Sequence, residues 1–176
     1  MISNNGAGQW NYYYWASSWT AAATVASSES GQYLFLGGSD YSNLGTGRFM
    51  VSSNYGSSWT QPATAPIQPW KFIRASSGGS FVYALSNAQS YISTDFGSSW
   101  TRSSFGNVNT ICDSKNFEVL FAINDQLVLT YNKGQSWQYI DLPFVPVPDN
   151  LFLFDCSETG QYLVATSSRF DIYIYH

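Results

Sequence analysis

A short motif of small polar residues, glycine and tryptophan recurs four times along this 176-residue chain. Its pattern is Ser/Thr-x-Asn/Asp-x-Gly-x-Ser-Trp. The three full copies are Ser52, Asn54, Gly56, Ser58 and Trp59; Ser93, Asp95, Gly97, Ser99 and Trp100; and Thr130, Asn132, Gly134, Ser136 and Trp137. A degenerate copy, residues 3–10, places Ala7 and Gln9 where the others have glycine and serine. The tryptophans are 49, 41 and 37 residues apart, and self-similarity of this period predicts a repeat architecture.

Each residue of the motif suits a tight turn better than a catalytic site. The Asn or Asp side chain accepts hydrogen bonds from backbone N–H groups just after it. The glycine takes a positive φ that other residues resist, and the tryptophan starts the next strand. A catalytic acid would not be exchangeable with an amide, yet the acidic position reads Asn5, Asn54, Asp95 and Asn132. The motif is therefore predicted to be structural.

Other segments recur in phase with the motif. "SESGQYLFLGG" at 28–38 matches "SETGQYLVATS" at 157–167, and residues 77–86 and 113–123 are looser copies. An apolar strand precedes each of them, so each unit is predicted to contain four antiparallel strands, which is the composition of a propeller blade. We predict one all-β domain, residues 1–176, with blades at approximately 16–61, 62–102, 103–140, and 141–176 together with 1–15.

On these motifs the chain resembles the Asp-box, or BNR, repeats of sialidase-like β-propellers, and we call each motif an Asp-box below. The resemblance covers essentially the whole chain. It implies a propeller in which each box joins the third and fourth strands of a blade, on the outside of the ring. Such boxes occur in enzymes, sorting receptors, assembly factors and lectin-like proteins, so the resemblance alone does not assign an activity.

The last unit contains three strands, and the chain starts with a box remnant followed by "QWNYYYW". We hypothesise that this N-terminal segment, residues 9–14, pairs with residues 169–176 and completes a ring of four blades without a free sheet edge. Two alternatives stay open. Two chains could share one larger ring, or the sequence could be part of a longer protein.

The composition excludes several classes of protein. The charged fraction is 10% and the net charge is −4, with no basic run, so no nucleic-acid partner is expected. No apolar stretch is long enough to span a membrane, and no signal peptide is visible; the compartment stays open, with a secreted or surface-exposed location favoured. The sole histidine is His176, so neither a metal site nor a cofactor is expected. Cys112 and Cys156 are predicted to be buried free thiols, too far apart to bond.

Catalytic groups are sparse. A sialidase would need an arginine triad, a Tyr–Glu nucleophile pair and an aspartic acid–base, whereas the four arginines here are scattered as Arg48, Arg74, Arg102 and Arg169. Asp113 and Asp155 lie on predicted first strands of neighbouring blades, but at non-equivalent positions that aim them at opposite faces of the pleat. We therefore predict that the protein is not an enzyme and name no catalytic residue.

Propeller ligands usually bind the face formed by the loops from fourth to first and from second to third strands. The loops predicted there are residues 12–19, 37–48, 60–70 and 140–150. The residues predicted to bind ligand are Trp15, Tyr41, Arg48, Trp70 and Phe144. The expected function is non-enzymatic binding of a neutral glycan or a protein partner. A sialidase-like glycoside hydrolase, or a fragment of one, and a structural subunit of a homo-oligomer or larger assembly are the alternatives.

Overall fold

The computed structural model of the chain describes residues 21–39, 46–86, 89–105, 110–123, 127–140, 151–167 and 172–176. These ranges contain antiparallel strands in four sheets, with one 3₁₀ turn at Lys115–Phe117. The prediction of an all-β chain is confirmed. The segments "LFLFDC" and "AAATVAS" form strands with the predicted bounds. The first contains two phenylalanines, which suit a pleated surface, whereas the second is mostly alanine and is held as a strand by its pairing with β2.

Each sheet is a meander in which consecutive strands are neighbours. Sheet 1 contains β1 (Ala21–Ser27), β2 (Leu34–Ser39) and β3 (Gly47–Ser52). Sheet 2 contains β4 (Trp70–Ala75), β5 (Val82–Ser86), β6 (Ser90–Ser93) and β7 (Thr101–Arg102). Sheet 3 contains β8 (Thr110–Asp113), β9 (Leu120–Ile123), β10 (Leu127–Thr130) and β11 (Gln138–Tyr139). Sheet 4 contains β12 (Leu151–Cys156), β13 (Leu163–Ser167) and β14 (Ile172–Tyr175).

The outermost strand differs among the sheets. Sheets 2 and 3 have four strands, whereas in sheet 1 the fourth is reduced to a bridge between Val51 and Thr60. Three strands of sheet 4 are described. The segment predicted to complete it, residues 9–14, lies outside the described residues.

The chain divides into two compact units, Met1–Asn87 with Ser93–Thr101, and Ala88–Ile92 with Arg102–His176. The first unit has an aromatic core. Phe49 packs edge-on against Trp70 and Trp100, with ring centroids 5.7 and 4.6 Å apart. Gly37 admits the Trp70 ring, since a Cβ at Gly37 would lie 2.8 Å from Trp70 Cβ.

The second unit has an aliphatic core. Its buried side chains are Cys112, Phe121, Ile123, Leu127, Leu129, Leu163 and Ala165. They come from strands of sheets 3 and 4, whose innermost strands β8 and β12 lie next to each other. One apolar face of each of the two sheets is thereby removed from water.

The prediction of two free thiols is wrong. Cys112 and Cys156 form a disulfide, and their Cα atoms are 5.9 Å apart. They lie on β8 and β12. Equivalent positions on neighbouring innermost strands are thus within bonding reach, contrary to the separation that we expected.

Backbone hydrogen bonds also link the sheets inside each unit. The Glu29 N–H donates to the Ser77 carbonyl over 2.8 Å, and the Lys115 N–H donates to the Glu158 carbonyl over 2.7 Å. Each bond joins the turns after the first strands of two sheets. Glu29 and Glu158, in these turns, are exposed.

Candidate binding site

The three full Asp-boxes share the bonds that their side chains accept from backbone N–H groups, whether the central residue is Asn or Asp. The degenerate copy, residues 3–10, lies outside the described residues. In the first full box, Asn54 Oδ1 accepts from the Ser58 N–H over 2.9 Å, and Ser52 Oγ accepts from the Gly56 N–H over 2.9 Å. Ser52 Oγ also donates to Asn54 Oδ1 over 3.1 Å. The polar groups of the turn thus bond to one another.

The other two boxes repeat these bonds. Asp95 Oδ1 accepts from the Ser99 N–H over 2.7 Å, and Asn132 Oδ1 accepts from the Ser136 N–H over 2.9 Å. The hydroxyl before each of them accepts from the glycine N–H, over 2.8 Å at Ser93 and 3.1 Å at Thr130. The Oδ1 atom of the central residue therefore accepts in each turn. The second atom differs, since the Nδ2 of Asn54 and Asn132 donates to the serine hydroxyl four residues on. At Asp95 the direction is reversed, and Oδ2 accepts from the Ser99 hydroxyl.

The box backbone contains a feature that the sequence did not reveal. Besides Gly56, Gly97 and Gly134, the residue before each glycine also has a positive φ: 57° at Tyr55, 59° at Phe96 and 57° at Lys133. Positive φ at both central residues is the pattern of a type I′ turn. Because Tyr, Phe and Lys are not residues that favour this region, composition gave no signal for it.

The Asp95 carboxyl titrates below its ordinary range. Burial, the largest single influence, raises its pKa. Hydrogen bonds from the side chain and N–H of Ser99, from the Ser93 hydroxyl and from the Asp95 N–H lower the pKa, and together they bring it below the ordinary value of 3.8. The charged form is therefore the one that the turn stabilises.

We expect Asp95→Asn to preserve the turn and to remove part of the acid sensitivity of folding. A carboxyl with a depressed folded-state pKa adds stability above its unfolded pKa and loses it as pH falls through the folded value. The site is partly exposed, so the change at neutral pH should stay within about 1 kcal/mol. Urea unfolding at pH 7 and pH 3 measures both effects. Asp95→Ala, which lacks the acceptor, is the control expected to lose stability at both pH values.

The first unit contains a pocket where the connection that leads to β3 meets the connection that leads to β4. The residues that line it are Thr46, Gly47, Arg48, Gln61 and Ile67, around a volume of about 310 Å³. Thr46 ends the connection between β2 and β3, and Gly47 and Arg48 begin β3. Gln61 and Ile67 belong to the connection that leads to β4. These are the second-to-third and fourth-to-first connections on which ligand binding was predicted.

Two side chains give this pocket its chemistry. Arg48 is exposed and makes no hydrogen bond or ion pair with the described residues, so its guanidinium can meet a ligand. Ile67 is apolar and 64% exposed. Gly47 is needed here because a Cβ would clash with the carbonyl oxygens of Gly38 and Gln68. The close approach fixes the Gln61–Ile67 connection beside Arg48.

The other predicted ligand-binding residues do not join this pocket. Trp70 is 1% exposed and its ring lies in the aromatic core, so it offers no stacking surface and is left out of the site. Trp15, Tyr41 and Phe144 lie outside the described residues. Ile67 was not among the residues predicted to bind ligand. Its position in the proline-rich loop 60–70 is the sequence feature that could have identified it.

A second cavity lies beside the first two Asp-boxes. Its volume is about 440 Å³, and its described lining is Tyr33, Val51, Ser53, Thr60, Pro62, Phe96 and Ser98. No charged side chain occurs in that lining. It is a groove between aromatic and small polar residues. Its described lining lacks a charged group that could orient a ligand, as Arg48 can in the other pocket.

The two carboxylates considered as catalytic candidates, Asp113 and Asp155, lie on β8 and β12. Asp155 is exposed, and its Oδ1 accepts from the Cys156 N–H over 2.9 Å. Neither pocket has a described carboxylate in its lining. In the same part of the chain, no three His, Cys, Asp or Glu side chains are grouped as metal ligands would be, and no helix is long and apolar enough to cross a membrane.

The fold of the chain matches solved structures, whereas the comparisons with family models and with curated proteins found no match. YCF48 bound to D1 peptide superposes with a TM-score of 0.60 at 14% identity, over 87% of this chain and 49% of that one. The GH74 xyloglucanase from Xanthomonas campestris gives 0.65 at 14% identity, over 88% of this chain and 24% of that one.

The chain has a β-propeller fold. A third structure, the nidogen/laminin complex, agrees with a TM-score of 0.57 at 10% identity, over 84% of this chain and 57% of that one. The chain spans about half of the YCF48 chain and about a quarter of the xyloglucanase. At such identities the likeness concerns the fold alone, and membership of the Asp-box family stays a prediction.

Proposed function

We propose that this protein is a non-enzymatic binding module, and that the Arg48 pocket binds a peptide segment of a protein partner. The observation that carries the proposal is the pairing of Arg48 and Ile67 at the loop end of the first unit. An exposed guanidinium binds a carboxylate through a bidentate fork. An exposed isoleucine beside it favours an apolar side chain of the ligand. The ligand would therefore present a carboxylate next to an apolar residue.

One of the structural comparisons supports a peptide ligand. YCF48 has the same fold and was solved with a bound peptide. The disulfide fits the secreted or surface-exposed location that we expect, since such bonds persist in oxidising compartments.

Glycan binding is the second candidate. It is favoured by the fold similarity to the xyloglucanase and by the low charge of the chain. A hydrolase would also need two carboxylates facing one cleft, roughly 5 to 10 Å apart. Glycan hydrolysis is therefore a weaker proposal than glycan binding without chemistry.

The test compares binding of the wild type and an Arg48→Ala variant to a displayed peptide library and to a glycan array. We expect selection of peptides that combine an acidic group with an apolar residue. The Arg48→Ala change should weaken the binding of these peptides about fivefold, because an exposed ion pair contributes up to about 1 kcal/mol. Arg102→Ala is the matched control, since Arg102 is an exposed arginine on β7. Saturable glycan binding without peptide binding would replace this proposal with the second candidate.

A further inference from the structure

The cavity of about 440 Å³ beside the first two Asp-boxes, called the box groove below, lies wholly within the first unit. Its volume is in the range of roughly 300 to 1,000 Å³ that small-molecule sites occupy. Ser53 comes from the first box, and Phe96 and Ser98 come from the second. Tyr33 precedes β2, and Pro62 belongs to the connection that leads to β4. Two boxes, a turn and a connection therefore meet at one groove.

Hydrogen bonds hold the walls of the box groove in place. Thr60 pairs with Val51 through two backbone bonds of 2.8 and 2.9 Å. The Thr64 hydroxyl donates to the Ser98 carbonyl, and this bond ties the connection that leads to β4 to the second box. The groove is therefore formed before a ligand arrives, and a preformed site loses less conformational entropy when it binds.

One part of the lining is aromatic and apolar. Tyr33 and Phe96 stack with ring centroids 4.3 Å apart and an interplanar angle of 27°. Both residues are only partly buried, so part of each ring is left to a ligand. Pro62 and Val51 add aliphatic surface. The C–H bonds on one face of a sugar ring form an apolar surface that packs on side chains of this kind.

The polar groups of the box groove are hydroxyls. The hydroxyls of Ser53 and Ser98 make no hydrogen bond with the described residues, and both serines are exposed. The Thr60 hydroxyl makes one long bond of 3.4 Å, to the Val51 carbonyl. No charged side chain occurs in the described lining. Because a hydroxyl both donates and accepts, this set of groups matches an uncharged ligand that carries hydroxyls of its own.

We propose that the box groove is a second binding site, and that its ligand is an uncharged sugar. A sugar combines hydroxyls, which need partners able both to donate and to accept, with an apolar ring face, and the box groove provides for both. A proline-rich peptide would also use the aromatic rings, but its backbone presents carbonyl groups, which need donors alone. None of the residues that line the box groove lines the Arg48 pocket. The sugar site is therefore independent of the proposed peptide site.

The experiment follows the backbone amide resonances of isotope-labelled protein during titration with a panel of neutral disaccharides that includes maltose, cellobiose and lactose. We expect at least one sugar to shift the Ser53 and Ser98 amides in a saturable way. Ser98→Ala should weaken that binding about fivefold, because it removes one hydrogen bond between neutral groups. Ser98→Thr, which keeps the hydroxyl, should retain most of the affinity. Ser57→Ala is the matched control, since Ser57 is an exposed serine of the first box outside the described lining.

The dispersion of the amide spectrum shows whether each variant is folded. The proposal is wrong if no sugar of the panel shifts the Ser53 and Ser98 amides, or if Ser98→Ala leaves the affinity unchanged. Shifts confined to Gly47 and Arg48 would place the sugar in the Arg48 pocket and would equally overturn it. The Ser53 and Ser98 amides report on the box groove, so their response does not depend on whether a peptide binds beside Arg48.

A proline-rich peptide, decaproline, is titrated in the same way to test the other class of ligand. We expect it to leave the Ser53 and Ser98 amides in place. A saturable response to decaproline, with none to the sugars, would assign the box groove to a polyproline ligand and would overturn the proposal.

Discussion

Reduction of the Cys112–Cys156 disulfide is expected to lower the free energy of unfolding by about 3 to 4 kcal/mol. The bond closes a loop of 44 residues between two sheets of the second unit, and cross-linking a loop of this size removes entropy from the unfolded chain. For a chain of this length the midpoint of thermal unfolding should fall by about 10 °C. Thermal unfolding with and without a phosphine reductant measures the change.

The double variant Cys112→Ala with Cys156→Ala is the control for this experiment. It should unfold near the reduced wild type and should not respond to the reductant. Thiol titration of the denatured, unreduced wild type gives the direct check. Two reactive thiols per chain would show that the bond does not form.

Trp70→Ala is expected to destabilise the protein by about 3 to 5 kcal/mol, the cost of emptying a large buried aromatic site. Trp70 packs against Phe49 and Trp100, with centroid distances of 5.7 and 6.0 Å, and the small Gly37 leaves no side chain to fill the space. Urea unfolding measures the loss. Lys71→Ala, at the next and exposed position of β4, should change stability by less than about 0.5 kcal/mol.

The same substitution distinguishes a core residue from a ligand contact. If Trp70 served mainly to bind ligand, Trp70→Ala would keep the stability of the wild type and lose only binding. Because the ring is buried, we expect Trp70→Ala to lower stability first of all, rather than to affect binding alone. Arg48→Ala, by contrast, should leave stability unchanged.

Much of the fold could be predicted from the sequence because the strands and turns of the repeat are determined by residues close together in the chain. Strands such as β1 and β12 are continuous apolar runs, and the turns between them contain glycine or an Asn/Asp acceptor. Both signals act over a few residues. The turn bonds of Asn54, Asp95 and Asn132 involve partners within four residues of each, so they need no knowledge of the rest of the chain.

What the sequence did not predict depends on distances between sheets. Cys112 and Cys156 align as equivalent positions, but alignment does not say how close two innermost strands approach. Trp70 follows a proline-rich loop, which suggested exposure. Its burial results from the small Gly37 of the neighbouring sheet. Of the predicted binding residues, Arg48 lines the pocket of the first unit. Ile67, which was not predicted, lines the same pocket because of the path that the connection to β4 takes.

The closed hydrogen bonding of the Asp-boxes has a consequence for how such a chain can change in length. Each box bonds its own polar groups, with the acceptor at Asn54 or Asp95 reaching no farther than four residues. The turn of a unit therefore does not depend on the polar groups of its neighbours for its own bonds. Duplication or deletion of a unit would require that the hydrogen bonds between sheets, such as that from the Glu29 N–H to the Ser77 carbonyl, form again at the new junction. The apolar faces would also need a new cover, and such faces tolerate changes of residue when volume is kept. In a repeat architecture of this kind, the number of sheets is free to vary while the turn that defines each one stays the same.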